Sequence, residues 1–197
     1  MKTGFFLSAM TTLAALTLLA GCSSSVELRY YQLPQTAGVT APPVANAPVL
    51  YVEPVMVASF LNTNALILQT SAVELHKTTQ HQWAEALDQQ LQRALVNGLQ
   101  QALPGYRVTS QQPGNDVVRL LVQVDQFHGQ QQGIALVSGR FHLLKGDKVQ
   151  SQSFQLQLPQ PEEGYPALVD TLGQGWQQAI TQFAAAVGTF APVTTAQ

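Results

Sequence analysis

The sequence offers four histidines as candidate metal ligands or proton carriers. His76 and His81 lie five residues apart, which is not the i, i+4 spacing that sets two imidazoles on one face of a helix. His128 and His142 are predicted to face each other across a hairpin, but a zinc site needs a further ligand nearby. We therefore interpret all four as structural or surface residues, and we expect no metal site and no cofactor.

Other catalytic patterns are also missing from the sequence. No serine lies in a Gly-x-Ser-x-Gly motif, and no glycine-rich phosphate loop follows a predicted strand. Glu162 and Glu163 are adjacent, so their carboxylates point apart, and a solvated loop explains them better than an acid–base pair. Gly173 and Gly175 lie within a helical pattern, where close helix packing explains them. We expect no catalytic residues, and we predict that the chain is not an enzyme.

The single cysteine, Cys22, is the residue with the clearest chemical role. The segment Leu19-Ala20-Gly21-Cys22 matches the lipobox of bacterial lipoproteins, in which the thiol accepts a diacylglycerol and the freed amine is acylated. A positive charge followed by a short apolar run precedes it, as in a secretion signal. We predict that residues 1–21 are a lipoprotein signal peptide, cleaved between Gly21 and Cys22. The alternative is an ordinary signal peptide followed by a chance cysteine.

The residues after this cysteine predict where the domain is held. Residues 22–25 comprise the lipidated cysteine and a tether of three serines, which extends over only about 10 Å. Two or more acyl chains give stable membrane anchoring, whereas a single chain gives marginal binding. Ser23 permits transfer to the outer membrane, while Asp at that position commonly retains lipoproteins in the inner membrane. We therefore expect a lipid-anchored outer-membrane protein that faces the periplasm.

Composition excludes one class of partner. Charged residues make up 10% of the 197 residues, the formal net charge is −2, and no basic stripe is present. We therefore expect no nucleic-acid binding. The length fits one domain, which we predict over residues 26–188, followed by a flexible tail at 189–197.

Hydrophobic periodicity predicts the elements that would position these residues. Residues 26–34 and 49–60 have strand patterns, and Pro54 indicates an edge strand or a bulge. Residues 65–77 predict a hairpin that turns near Thr70. Further strands are predicted at 106–110, 117–127, 134–144 and 149–158, of which the last three form a meander.

The pattern of a first amphipathic helix lies between the strands. Thr79 and Gln82 are spaced as a capping box at its start. The apolar stripe then runs from Trp83 to Leu103, and Pro104 ends the helix.

A second amphipathic helix closes the chain, with an apolar stripe from Leu168 to Val187 and Gly188 as its cap. We interpret Trp83 and Trp176 as core residues; the alternative is that one of them lines a ligand groove. The order of elements predicts an α+β fold, in which a largely antiparallel β-sheet carries two amphipathic helices packed on one face.

Several short motifs occur in an order that is recognisable. They are Tyr30-Tyr31-Gln32-Leu33, Val52-Glu53-Pro54-Val55, Phe60-Leu61-Asn62 and, at the predicted helix start, His81-Gln82-Trp83-Ala84-Glu85-Ala86-Leu87. This order resembles the ABC-type transport auxiliary lipoproteins, the PqiC/YmbA family, over nearly all of residues 22–188. Ala86 and Ala58 stand where the family favours Pro, and Gln82 stands where it favours Arg. The missing Arg argues against an anion-binding role at this point.

The resemblance implies a role with partner proteins. Such lipoproteins accompany transporters built from mammalian-cell-entry (MCE) domain proteins, which move lipids between the two membranes of Gram-negative bacteria. The family has no catalytic residues to carry over. We therefore expect an MCE-domain membrane protein as the partner and, as an extension, a ring of identical copies that receives it. The alternative is a stand-alone envelope lipoprotein that binds a ligand or assists assembly, as a pilot or chaperone does.

Overall fold

The computed structural model describes residues 27–35, 47–114 and 117–192. The predicted signal peptide, Cys22 and its tether lie outside these ranges. Within them the chain forms nine strands and two α-helices: β1 Arg29–Tyr31, β2 Val49–Val52, β3 Met56–Val57, β4 Ala65–Gln69, β5 Leu75–Trp83, α1 Leu87–Ala102, β6 Arg107–Thr109, β7 Val118–Gln130, β8 Ile134–Lys145, β9 Lys148–Pro159 and α2 Tyr165–Phe190.

The strands form one mixed sheet, organised around β7. One edge of β7 pairs with β8, and β8 with β9, in the long antiparallel meander that the sequence predicted. The other edge of β7 is covered by β2, β3 and β4 in succession, all of them parallel to it. The predicted β4–β5 hairpin is present, and it turns over residues 70–74. The predicted α+β class is therefore confirmed, with short parallel ladders beside the longer antiparallel ones.

Pro54 explains why the segment that covers β7 is broken between β2 and β3. Proline has no backbone N–H, so it cannot donate to a ladder. Glu53 N–H still donates to the Leu120 carbonyl at 2.9 Å, and pairing with β7 resumes at Met56. The edge-strand alternative was wrong, because β2 pairs with β6 as well as with β7. The proline instead marks an irregularity that interrupts the strand.

Both helices pack on one face of the sheet and cover the core. Trp176 of α2 is fully buried, and its indole N–H donates to the Leu91 carbonyl of α1 at 3.2 Å. The rings of Phe127, Phe154 and Phe183 surround it, with centroid distances of 6.4, 6.3 and 6.0 Å. Such edge-to-face contacts add to the free energy gained by burying the rings. Trp176 is thus a core residue, as predicted.

The first helix begins later than the sequence predicted. Thr79 and Gln82 lie in β5, and the helix starts at Leu87 after Ala86, with no side-chain cap. Trp83 is the last residue of β5, where it pairs with Tyr31 and is buried against Phe127. The predicted capping box and helix start were therefore wrong, although Trp83 is a core residue. Trp83 lies four residues before Leu87, a spacing that also fits one face of a helix, so the apolar pattern wrongly extended the predicted helix back to Trp83.

The second helix ends slightly beyond its predicted cap. Gly188 is an ordinary helical residue, and α2 continues to Phe190. Ala191 N–H donates to the Val187 carbonyl at 3.0 Å, and the Tyr106 hydroxyl donates to the Ala191 carbonyl. These two contacts end the helix without a glycine. Among the described residues no helix is both long and apolar enough to cross a membrane.

Candidate functional site

Three loops lie together at one end of the sheet, where a groove opens, and we call this end the groove end. It consists of the β4–β5 loop 70–74, the β7–β8 turn 131–133 and the β9–α2 loop 160–164. Strand register brings them together, because Gln69 pairs with Gln130, Gln130 with Ile134 and Ile134 with Pro159. Backbone hydrogen bonds join the loops directly, from Gln131 to Gln69 at 3.0 Å and from Gln160 to Gly133 at 2.8 Å.

An open groove of about 760 Å³ lies at this end. Its apolar lining comes from Leu68, Ile134 and Leu168, together with prolines of the β9–α2 loop. Its polar lining is made mostly of carboxamides and two carboxylates, from Gln130, Gln131, Gln132, Gln160, Glu162 and Glu163. A groove of this size with an apolar floor and few charges suits an uncharged or weakly polar segment of a ligand or partner.

The predicted acidic pair therefore has a defined position. Glu162 and Glu163 lie in the exposed loop 160–164, where they form part of the groove's rim. The interpretation as a loop is confirmed, and the structure adds that the two carboxylates give this rim a negative charge.

A cluster of three rings borders the groove and ties β1 to it. His81 Nδ1 lies 2.8 Å from the Tyr31 hydroxyl, and its imidazole stacks on Tyr165, with ring centroids 3.7 Å apart. Partial burial, together with the positive charge of nearby Arg29, lowers the pKa of His81. Burial also raises the pKa of the Tyr165 hydroxyl. Both shifts favour the neutral forms of His81 and Tyr165, and the cluster fastens the edge strand β1 to the first turn of α2.

The other histidines have separate structural positions. His128 is buried, contacts Phe60 and has Nδ1 3.2 Å from the Gly129 carbonyl oxygen. His142 Nδ1 lies 2.7 Å from Ser151 Oγ on β9. The expectation that these two face each other was wrong, because in the β7–β8 register His128 pairs with Leu136 and His142 with Leu121. The register leaves them far apart along the meander.

His76 lies exposed near the start of β5, away from His81. Across the described ranges, no three His, Cys, Asp or Glu side chains gather closely enough to hold a metal ion.

The two helix glycines have the packing role that the sequence predicted. A Cβ at Gly173 would lie 2.8 Å from Pro34 Cδ, and one at Gly175 would lie 2.8 Å from Val137 Cγ2. Only glycine at these positions allows α2 to lie so close to the chain after β1 and to β8.

Two glutamines of α1 form contacts that the sequence analysis missed. Fully buried Gln90 accepts a hydrogen bond from Leu33 N–H and donates one to the Glu85 carbonyl, both at 2.9 Å. Gln92 accepts from Val55 N–H at 2.8 Å and donates to the Val52 carbonyl at 3.4 Å. Their carboxamides thus pair backbone groups next to Pro54 and beyond β1. The strand break at Pro54 was the sequence signal for the contacts of Gln92, because a break leaves backbone groups whose hydrogen bonds a neighbouring side chain must supply.

The first described residues of the chain lie near the groove end. Its first strand, β1, is an edge strand that pairs in parallel with β5, with Arg29 beside His81. Since His81 stacks on Tyr165, and Tyr165 lines the groove, Glu27 and Leu28, which directly precede Arg29, lie near the groove. The lipidation residue Cys22 and the cleavage-site residue Gly21 precede this point and lie outside the described residues.

The described residues form an α+β domain with a glutamine-lined groove at one end of its sheet. The family model for the ABC-type transport auxiliary lipoprotein component matches residues 31–184, and the chain belongs to that family. It is 36% identical over 177 residues to the intermembrane transport lipoproteins PqiC of Escherichia coli K12 and Shigella flexneri, covering 89% of this chain and 94% of each relative.

Solved structures support the fold. An uncharacterised protein is 35% identical and superposes with a TM-score of 0.75 over 82% of this chain and 99% of its own. Protein XCC0632 from Xanthomonas campestris is 18% identical, with a TM-score of 0.65 over 81% of this chain and 94% of its own. The second similarity is one of fold alone.

Proposed function

We propose that this chain is the non-catalytic outer-membrane lipoprotein of an MCE-type lipid transport system, where it docks a periplasm-spanning partner and supports envelope integrity. One observation carries the proposal: the similarity to intermembrane transport lipoproteins extends over 89% of this chain and 94% of the relatives. Similarity of that extent includes the whole folded domain, rather than a single shared motif.

The surface of the domain supports a docking role. Protein interfaces use aromatic and uncharged polar groups, with charge depleted at their centre. The groove has such a composition, since carboxamides and apolar side chains line most of it and its two carboxylates lie in one loop. Three of the four histidines, His81, His128 and His142, contact tyrosine, serine, phenylalanine or backbone groups.

The location follows from the lipobox. Cleavage between Gly21 and Cys22 would leave Cys22 as the lipid-bearing first residue, and Ser23 favours transfer to the outer membrane. Three serines reach only about 10 Å, so a domain on this tether stays beside its membrane and its partner must come to it. A ring of identical copies is the closed form that would receive a tube-shaped partner.

A pull-down from membranes tests the partner. Tagged, lipidated protein is extracted in mild detergent, and Cys22→Ser serves as the unanchored comparison. We expect an MCE-domain protein to be recovered with the anchored protein and to be depleted from the variant. Recovery of no such protein would reject the docking role.

A deletion strain tests the contribution to the envelope. We expect deletion of the gene to sensitise cells to detergent once parallel lipid-transport routes are also removed, because those routes otherwise compensate. Wild-type detergent resistance in the multiple-deletion strain would count against lipid transport.

The groove favours a second candidate function, a stand-alone envelope lipoprotein that binds a ligand or assists the assembly of another protein. A volume of about 760 Å³ is large enough for a small ligand. Neighbouring genes discriminate between the two functions. A gene for a membrane protein with MCE repeats beside this one favours transport, whereas an isolated gene favours the stand-alone role.

A further inference from the structure

The exposed apolar side chains are concentrated near one edge of the groove end. In the described part of the chain, six large apolar residues are exposed. Two of them, Leu28 and Tyr30, lie just before and in β1, and two more, Val73 and Leu75, lie in the β4–β5 loop and at the start of β5. Val73, at the hairpin turn, is 96% exposed. A single exposed apolar residue is ordinary on a protein surface, whereas several near one end indicate a contact site.

Strand register sets two of these side chains, Tyr30 and Leu75, on the same face of the sheet. Tyr31 pairs with buried Trp83 and therefore faces the helices, so Tyr30 faces away from them, and Leu28 directly precedes this strand. Leu68 faces the helices, because it lies with Leu168 of α2 against Gly129. Its neighbour Gln69 therefore faces away, as does Leu75, which pairs with Gln69.

The length of chain outside the described residues determines what can lie against this patch. From Cys22 to Glu27 there are five Cα–Cα steps, which span at most about 18 Å. The twelve-residue strands β8 and β9 make the meander about 40 Å long. Because β1 runs parallel to β5, and β5 begins at the groove end, Glu27 lies on the groove side of Arg29. A lipid on Cys22 therefore brings the groove end, and not the opposite end, to the bilayer.

The charges near the patch argue for an apolar contact. Four acidic residues, Glu27, Glu74, Glu162 and Glu163, are exposed near the groove end beside two exposed basic residues, Arg29 and Lys77, so the formal charge there is net negative. Lys145 and Lys148 lie at the opposite turn of the meander. Acidic residues at a membrane surface disfavour anionic lipids. A contact made here therefore depends on apolar side chains and not on attraction to lipid phosphates.

We infer that the groove end is a membrane-contact surface, in which Val73, Leu75, Leu28 and Tyr30 enter the interfacial layer of the bilayer that holds the lipid anchor. This inference rests on the proposed lipidation of Cys22. The contact fixes the orientation of the domain, so that the sheet stands on the membrane with the groove opening at the lipid surface. The Lys145–Lys148 turn then points away from the bilayer.

Depth-dependent fluorescence quenching tests this orientation. Val73→Cys and the matched control Val149→Cys are made in the full-length lipidated protein, where Cys22 is the only native cysteine. Both positions are exposed valines, but Val149 lies beside the Lys145–Lys148 turn. Each is labelled with a small environment-sensitive fluorophore, and the protein is reconstituted into phosphatidylcholine vesicles with and without brominated acyl chains.

We expect the label at position 73 to shift its emission to the blue and to lose intensity with brominated lipid, and the label at position 149 to do neither. Equal behaviour of the two labels would overturn the inference. A blue shift at position 73 without quenching by bromine would also overturn it, because the label would then be buried against protein, such as a second copy. A second set of vesicles also contains phosphatidylglycerol; quenching that appears only in that set and disappears in salt would contradict an apolar contact.

Flotation of the vesicles separates this inference from the proposed anchor. Protein that fails to float with the vesicles indicates that Cys22 carries no lipid, which overturns both the anchor and this inference. Protein that floats but has an unquenched label at position 73 overturns the membrane-contact surface alone.

Discussion

Gln90 and Gln92 illustrate how single side chains hold the irregular parts of this fold. Each carboxamide offers a donor and an acceptor, so each can pair a backbone N–H and a backbone carbonyl at once. Gln90 connects Leu33, just beyond β1, to Glu85 before α1, and Gln92 bridges the two sides of Pro54. Neither contact depends on charge, which fits a chain with only 10% charged residues.

Replacing Gln90 should destabilise the domain well beyond the loss of one polar contact. Gln90→Leu leaves Leu33 N–H and the Glu85 carbonyl without these partners, and an unsatisfied buried group costs about 1–3 kcal/mol. We expect a drop of that size in the free energy of unfolding, measured by denaturant titration. Gln89→Leu is the control, because Gln89 is exposed on the adjacent position of α1. Equal stability of the two variants would show that Gln90 has no structural role.

His128 should make the domain less stable in mild acid. Burial lowers the pKa of His128 in the folded protein below its ordinary value near 6.5, although the hydrogen bond with the Gly129 carbonyl opposes this shift. At a pH between the pKa values of His128 in the folded and unfolded states, the unfolded chain binds more protons than the folded chain. The free energy of unfolding therefore falls as the pH drops below about 6.5. Above that pH the full stability is retained.

The measurement is a series of unfolding titrations between pH 7.5 and about pH 5, a range chosen to cross the ordinary histidine pKa. His128→Leu should flatten the loss in acid, while His76→Leu, at an exposed position, should retain the slope of the wild-type protein. An unchanged slope in His128→Leu would indicate that other groups cause the acid sensitivity.

At the scale of elements, the sequence predicted the antiparallel parts of the fold well and the parallel parts poorly. The meander and the β4–β5 hairpin have local turns, such as the one at Gly146, that connect adjacent strands. The parallel ladders join segments far apart in sequence, such as β2 with β6 and β1 with β5. No local pattern encodes such a register, because it depends on where the intervening elements pack.

The error at the first helix has a related cause. The capping-box spacing of Thr79 and Gln82 is also compatible with a strand, and there the Gln82 amide donates to the Thr79 carbonyl at 3.2 Å. Thr78 holds β5 in its extended form, donating to the carbonyl of Leu66 at 3.0 Å and contacting that of His81. Pairing with β1 and β4 therefore outweighed a weak local preference for helix. The groove was not predictable either, since its lining comes from loops that only the sheet register brings together.

The β7–β8 ladder should be sensitive to a single methyl group at Gly139. A Cβ there would collide with the Gln123 carbonyl oxygen and lie 2.9 Å from Phe154 Cζ, beside the register shift between Val124 and Gln126. We expect Gly139→Ala to lower the free energy of unfolding by about 1–3 kcal/mol, the usual cost of overpacking. Thermal and denaturant melts would measure the loss.

Gly114→Ala provides the matched control for that substitution, because a Cβ at Gly114 meets nothing within 4 Å. It should leave the melting curve essentially unchanged. If Gly139→Ala melted like Gly114→Ala, the close approach of β7 and β8 at this point would be wrong.

At the scale of the whole molecule, the chain is a member of the ABC-type transport auxiliary lipoproteins, and its role depends on where its lipid places it. If Cys22 carries the proposed lipid, the short tether determines location and orientation together. The domain is then held within about 18 Å of its lipid with the groove end beside the bilayer, so a partner that docks in the groove would meet the domain at the membrane surface.

Two substitutions near the predicted cleavage site test the location. Cys22→Ser removes the thiol that accepts the lipid, so the protein should remain unprocessed or be released from membranes. Ser23→Asp should keep the lipid but shift the protein from the outer-membrane to the inner-membrane fraction. Mass spectrometry of the mature N-terminus and density fractionation provide the readouts. An unmodified Cys22, or native protein found only in the inner membrane, would contradict the prediction.

The burial of α2 at the centre of the core also has a consequence during synthesis and export. Trp176 and Phe183, two of the largest fully buried side chains, come from the later of the two described helices. Until α2 has been synthesised, the helix-facing side of the meander and the apolar stripe of α1 lack the helix that packs against both of them. For a chain exported as proposed, the domain therefore cannot close while it is threading through the secretion channel, and its folding waits for release on the periplasmic side.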